Sequence, residues 1–97
     1  MPTYIMLVNW TQQGIEKVKE SPARITALRS LFKEMGGEAK EFYVAMGRYD
    51  GVVIAEAPND ETAAKIALAI GSRGSARSET LRAFTEDEFR KIVGALP

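Results

Sequence analysis

The sequence predicts an α+β sandwich: a four-stranded antiparallel sheet, two helices across one face, and a short extra helix at the end. Three observations lead there. Segments with two-residue apolar alternation and segments with three-to-four-residue spacing succeed each other in the order β-α-β-β-α-β. The second and third strands lie close enough in sequence to form a hairpin, which makes them antiparallel neighbours. After the last strand, Thr85-Glu86-Asp87-Glu88 forms a capping box that opens one more helix. This order is that of the split βαβ, or ferredoxin-like, sandwich. The 97 residues hold it as a single domain, 1–97.

Each element has its own justification. Thr3 to Trp10 alternates Tyr4, Met6, Val8 and Trp10 against Ile5, Leu7 and Asn9, which is strand periodicity. Thr11 caps a following helix that runs to Met35, with Ile15, Val18, Ile25, Leu28, Leu31, Phe32 and Met35 on one stripe. Gly36 and Gly37 stop it. Ser21-Pro22 falls inside this helix. Proline lacks an N–H and disfavours helical geometry in the residue before it, so a kink or a fresh start capped by Ser21 is expected. Glu38 to Met46 and Gly51 to Ala57 are the second and third strands. Asn59 caps a helix with Ala63, Ile66, Ala67 and Ile70 on one face, closed by Gly71-Ser72-Arg73-Gly74-Ser75. Ser75 to Phe84 is a fourth, more polar strand, and Phe84 and Phe89 occupy the staple positions around the Thr85 capping box.

Composition removes much chemistry. Cysteine and histidine are both absent, so there is no disulfide, thiolate nucleophile, thiolate or imidazole metal site, or histidine base. No metal or cofactor is implied. Thirteen basic and thirteen acidic residues cancel, leaving no global field to recruit nucleic acid or an anionic membrane. Arg73, Arg77 and Arg82 cluster in sequence, but Glu79 interrupts them and no aromatic among them can stack a base. No apolar run reaches the roughly twenty residues of a membrane span. A cytoplasmic location is the default expectation.

A ferredoxin-like sheet with one wet face should alternate apolar with polar side chains. Here the first three strands are apolar on both sides: Met6 and Ile5, Val44 and Tyr43, Val53 and Ile54. Something must cover the second face. A second copy of the chain, packed sheet to sheet, is the simplest cover, so a homodimer or larger homo-oligomer is expected.

Gly47-x-Tyr49-Asp50, the apolar strand "GVVIAEAP" and the acidic helix start "NDETA" resemble the GYD-domain family. "YIMLVNWTQQG" and "GGEAKEFYVAMGRYD" are similar to it as well, so the resemblance runs from Tyr4 to Phe84. It implies the dimeric α+β-barrel version of the ferredoxin-like fold, in small bacterial or archaeal proteins. It implies no particular reaction.

Candidate site residues concentrate around that motif. As a turn, Gly47 and Gly51 supply backbone freedom, Asp50 binds nearby N–H groups, and Tyr49 folds back so that its hydroxyl finds a partner. As a site, Tyr49 and Asp50 are the catalytic candidates, tyrosine donating to a carbonyl and aspartate acting as base, with Arg48 beside them. Asn9, Trp10, Tyr43, Met46 and Arg48 are the candidate ligand-binding residues. Met6, Trp10, Phe42 and Met46 would line a pocket, although core packing explains them equally well. Among helix starts, only Thr11-Gln12-Gln13-Gly14 has no nearby acid and suits a ligand carboxylate, against the plainer reading of a threonine cap. Glu56, if buried, needs Arg77 or Arg82 as partner; otherwise it forms a surface salt bridge. Two functions remain open: a homo-oligomeric module that binds a small, partly apolar molecule, or a cofactor-independent enzyme of monooxygenase, isomerase or lyase type relying on Tyr and Asp.

Overall fold

A computed structural model describes all residues, Met1–Pro97. Four strands form one antiparallel sheet in the order β2-β3-β1-β4: β1 (Thr3–Trp10), β2 (Glu38–Val44), β3 (Gly51–Glu56) and β4 (Ala76–Ala83). The central pairs put Met6 opposite Val53 and Thr80, and Leu7 opposite Val52 and Glu79. This is the expected ferredoxin-like sheet.

The segment predicted as one helix up to Met35 is three pieces. It comprises α1 (Gln12–Glu16), a 3-10 turn (Val18–Glu20) and α2 (Ser21–Glu34). The chain restarts at Ser21-Pro22, as the proline requires, but Ser21 is not the cap. Glu20 holds that position without a side-chain hydrogen bond, and the buried Ser21 Oγ has no partner. Thr11 does cap α1, its Oγ1 accepting from the Gly14 N–H at 3.1 Å. That helix has only five residues, and the Thr11 hydroxyl also donates to the Gly74 carbonyl, so the start is spent on holding two loops together. Gly14 is required there: a Cβ at this position would come within 1.8 Å of the Ser75 carbonyl oxygen.

Further along, α3 (Asp60–Ser72) begins at Asn59, whose side chain accepts from the Thr62 N–H at 2.8 Å. After β4, α4 (Glu86–Gly94) opens with the complete capping box, Thr85 and Glu88 each bonding the other's backbone N–H. The Thr85 backbone N–H holds the Glu88 carboxyl below its ordinary range.

Helices α2 and α3 cover one sheet face. Leu28 and Phe32 from α2 and Ile66 from α3 pack on Met6, Ala39, Val53 and Ala55. A smaller cluster joins Tyr4, Ala57 and Ala63. At its edge the Tyr4 hydroxyl donates to Asp60 at 2.5 Å; burial and this bond push the Tyr4 hydroxyl up to about 12. The opposite sheet face carries no packed helix. Ile5, Leu7, Val52 and Ile54 line its centre half-buried, and Leu81 and Tyr43 flank them exposed.

Glu56 takes the surface salt bridge expected for it when not fully buried, rather than the pairing with Arg77 or Arg82 that burial would have needed. It is half-buried and lies 3.3 Å from Lys40 on β2. A bulge between Ala39 and Glu41 makes Lys40 an extra residue in the ladder, beside Glu56 rather than in register with it. The pair is a partly exposed strand-edge salt bridge, worth little to stability.

Candidate functional site

The β2–β3 loop, residues 45–50, carries the motif. It is closed by the Ala45 N–H donating to the Asp50 carbonyl at 2.8 Å. Gly47 sits at φ +151°, where an L side chain is disfavoured, so the glycine answers to backbone geometry. The Asp50 N–H donates both to the Val8 carbonyl at 2.9 Å and to Asn9 Oδ1 at 3.2 Å. Asp50 Oδ2 accepts the Trp10 backbone N–H at 3.0 Å. Asp50 therefore ties the loop to the end of β1, and it does so from the helix-covered side of the sheet.

On that side lies a cavity of about 140 Å³ between the sheet and the two long helices. Met6, Val8, Trp10, Phe42, Leu28 and Ile70 form its apolar wall. Polar groups gather on the same lining: Asp50, Ser75, Arg24 and Arg73. Arg24 is partly engaged, donating to the Gly14 carbonyl at 3.3 Å and lying 3.8 Å from Glu20. A space of this size holds a molecule of about one aromatic ring. Apolar walls with a few polar groups are the usual make-up of small-molecule sites.

The predicted residues divide between two sides of the sheet. Trp10 and Asp50 line the cavity together, and Asn9 is bonded to Asp50 from the neighbouring position. Tyr49 faces the other side, where its hydroxyl donates to Glu79 at 2.8 Å, beside Leu7, Asn9 and Arg77. That bond raises the Tyr49 hydroxyl above its ordinary value. Tyr43 also lies outside the cavity, donating to Glu41 at 3.0 Å, with its pKa raised for the same reason. Met46 and Arg48 project into solvent at the loop. Of the four residues read as pocket-lining, Met6, Trp10 and Phe42 line the cavity and Met46 does not.

Sequence reasoning missed the helix contribution. Arg24, Leu28, Ile70 and Arg73 come from α2 and from the end of α3. The apolar stripes of those helices were legible, but which end of each stripe stays unfilled is decided by packing. The three arginines near the fourth strand also part company. Arg73 reaches the cavity, Arg77 lies near Tyr49, and Arg82 stacks over Phe84 near Glu88. No cluster of three or more acidic side chains is close enough to hold a metal ion, and no helix is long and apolar enough to cross a membrane.

These features define a small α+β sandwich with an apolar cavity under its own helices and one uncovered sheet face. The chain belongs to the GYD-domain family, whose family model matches residues 4–93. Over 84 residues it is 36% identical to a Thermus thermophilus protein named glutamine synthetase and cystathionine beta-lyase binding protein, spanning 86% of this chain and 88% of that one. Its structure is similar to the crystal structure of TTHA0845 from Thermus thermophilus, with TM-score 0.56 and 26% identity over 88% of this chain and 95% of the other. It is also similar to a hypothetical protein, PHS023, from Pyrococcus horikoshii, with TM-score 0.57 and 22% identity over 89% and 93% of the two chains. The Pyrococcus likeness is one of fold.

Proposed function

We propose that the protein is a self-assembling module that binds a small, partly apolar molecule in the cavity between its sheet and helices. The observation that carries this reading is the cavity itself: an apolar wall from β1, β2, α2 and α3, with Asp50, Arg24 and Arg73 placed to fix a polar group. Assembly is supported by the apolar sheet face, where Ile5, Leu7, Val52 and Ile54 lie under no helix of their own chain. A face of that kind is unusual on a monomer and suits a second copy. The cofactor-independent enzyme reading loses support from the geometry, since Tyr49 and Asp50 face opposite sides of the sheet and share no common site within one chain.

A second reading takes the uncovered face as a docking site for other proteins. The name of the Thermus relative, which speaks of binding two enzymes, favours it, as does the same apolar face. Native mass spectrometry of the purified chain separates the outcomes. Self-assembly with a bound ligand predicts multiples of 10.7 kDa carrying an added small mass, and loss of that mass in Val8→Phe, which grows a ring into the cavity. Bare monomers would refute both halves. A monomer that acquires the mass of an added glutamine synthetase would favour the second reading.

A further inference from the structure

The polar groups of the cavity lining gather at one end of it. Ser21 and Arg24 stand in the first turn of α2, Arg73 caps the end of α3, and Asp50 precedes β3. Hydrogen bonds tie these element ends together. The Trp10 N–H donates to Asp50, Arg24 donates to the Gly14 carbonyl, and Thr11 donates to the carbonyl of Gly74, next to Arg73. The middles of the same elements supply Met6, Leu28 and Val53, all buried and apolar. The cavity thus has a closed apolar floor and a charged mouth.

Most of the mouth is uncommitted within the chain. The Ser21 Oγ is buried without a hydrogen-bond partner, which a folded protein rarely tolerates unless the group has other work. Arg73 enters none of the ion pairs. Arg24 is held loosely, 3.8 Å from a mostly exposed Glu20 and 3.3 Å from the Gly14 carbonyl. Asp50 is the exception, because its Oδ2 already accepts the Trp10 N–H. Arg24 and Arg73 against Asp50 leave the lining with one positive charge in excess.

We propose that the cavity takes a small monocarboxylic acid, its apolar body on the floor and its carboxylate at the mouth with Arg24, Arg73 and Ser21. The inference rests on the cavity reading proposed above and names the class of ligand that the cavity prefers. A guanidinium fork matches a planar carboxylate, and the Ser21 hydroxyl supplies a further donor. The ligand replaces Glu20 as the partner of Arg24. One negative charge balances the excess on the lining. A dianionic phosphate would leave surplus negative charge beside Asp50, and an amine would lie among guanidiniums. Size sets the body: about 140 Å³ admits one ring or a short branched chain, so benzoate fits and a long-chain acid does not.

Isothermal titration calorimetry on the full chain tests this with benzoate, benzamide, benzylamine and phenyl phosphate, which share a ring and differ in charge. Benzoate should bind once per chain, about tenfold or more tighter than its neutral isostere benzamide, and tighter than the other two. Arg73→Gln alters an exposed side chain outside the core, and it should weaken benzoate about tenfold while leaving benzamide within about threefold. Ser21→Ala should weaken benzoate too, yet the ligand-free variant should melt no lower than the parent, because the hydroxyl removed has no partner. If benzamide binds as tightly as benzoate and both are lost in Val8→Phe, the cavity stands as a binding site and the preference for acids is overturned. Tightest binding of benzylamine would make Asp50 the recognising group, and tightest binding of phenyl phosphate would make the ligand a phosphate ester; either overturns the proposal. No binding of any of the four overturns the cavity reading with it.

Discussion

Replacing Asp50 by alanine and by asparagine separates its structural work from any proton chemistry. In the fold Asp50 Oδ2 accepts the Trp10 backbone N–H at 3.0 Å, fixing the motif loop to the end of β1 beside the cavity. Alanine removes that acceptor and leaves a partly buried N–H without a partner. A hydrogen bond to a charged group contributes about 1.5–3 kcal/mol, so Asp50→Ala should cost about 2 kcal/mol. With a urea slope of about 1 to 1.5 kcal/mol/M for a chain this size, the unfolding midpoint should fall by about 1.3 to 2 M. Asparagine keeps a carbonyl oxygen at the same position, and its loss should stay below about 1 kcal/mol. Chemical denaturation of the three proteins, followed by Trp10 emission, reads both values. Equal and negligible shifts for the two variants would refute the claim that Asp50 anchors the loop. Unaltered stability with abolished turnover of some substrate would return Asp50 to the role of base.

Other predictions follow the same geometry. Since the Tyr4 hydroxyl is pushed up to about 12 in the fold, against 10.0 ordinarily, its contribution is present in full below pH 10 and is lost as pH rises from 10 through 12. Thermal melts between pH 9 and 12 should lose about 2 kcal/mol on that account, and Tyr4→Phe should flatten this part of the profile. Gly14→Ala drives a Cβ to within 1.8 Å of the Ser75 carbonyl and should cost about 3 kcal/mol, read as a melting temperature lower by more than about 10 °C. Phe32→Ala empties the centre of the main core, where Phe32 is 1% exposed, at about 3–5 kcal/mol; urea denaturation should find most of the stability gone.

What the sequence revealed was what short-range chemistry controls. The Thr85–Glu88 capping box, the Asn59 cap and the β2–β3 hairpin each depend on residues within a few positions of one another, and each stands where expected. The break at Ser21-Pro22 was legible from proline alone. The close seat of Gly14 was not, because it is held against Ser75, a residue far along the chain. Glu56 finding Lys40 depended on the register of β2 against β3, which sets Glu56 opposite Glu38 and which no local pattern announces. Motif residues were located correctly as a turn, but their division between two sheet faces was invisible. Tyr49 and Asp50 are adjacent in sequence but sit in a loop between two strands, where no strand alternation fixes the direction of either side chain. The cavity joins side chains from distant elements, β1 and the ends of α2 and α3, so only packing could disclose it.

The cavity can be tested directly through Trp10, the only tryptophan in the chain and part of the cavity wall. 4-Bromophenol is about the size the space admits, partly apolar, and its bromine quenches indole emission on contact. Binding in the cavity predicts saturable quenching at one molecule per chain, and loss of that saturation in Val8→Phe. Quenching that rises linearly without saturating, and to the same extent in both proteins, would contradict the central claim that the space under the helices is a binding site.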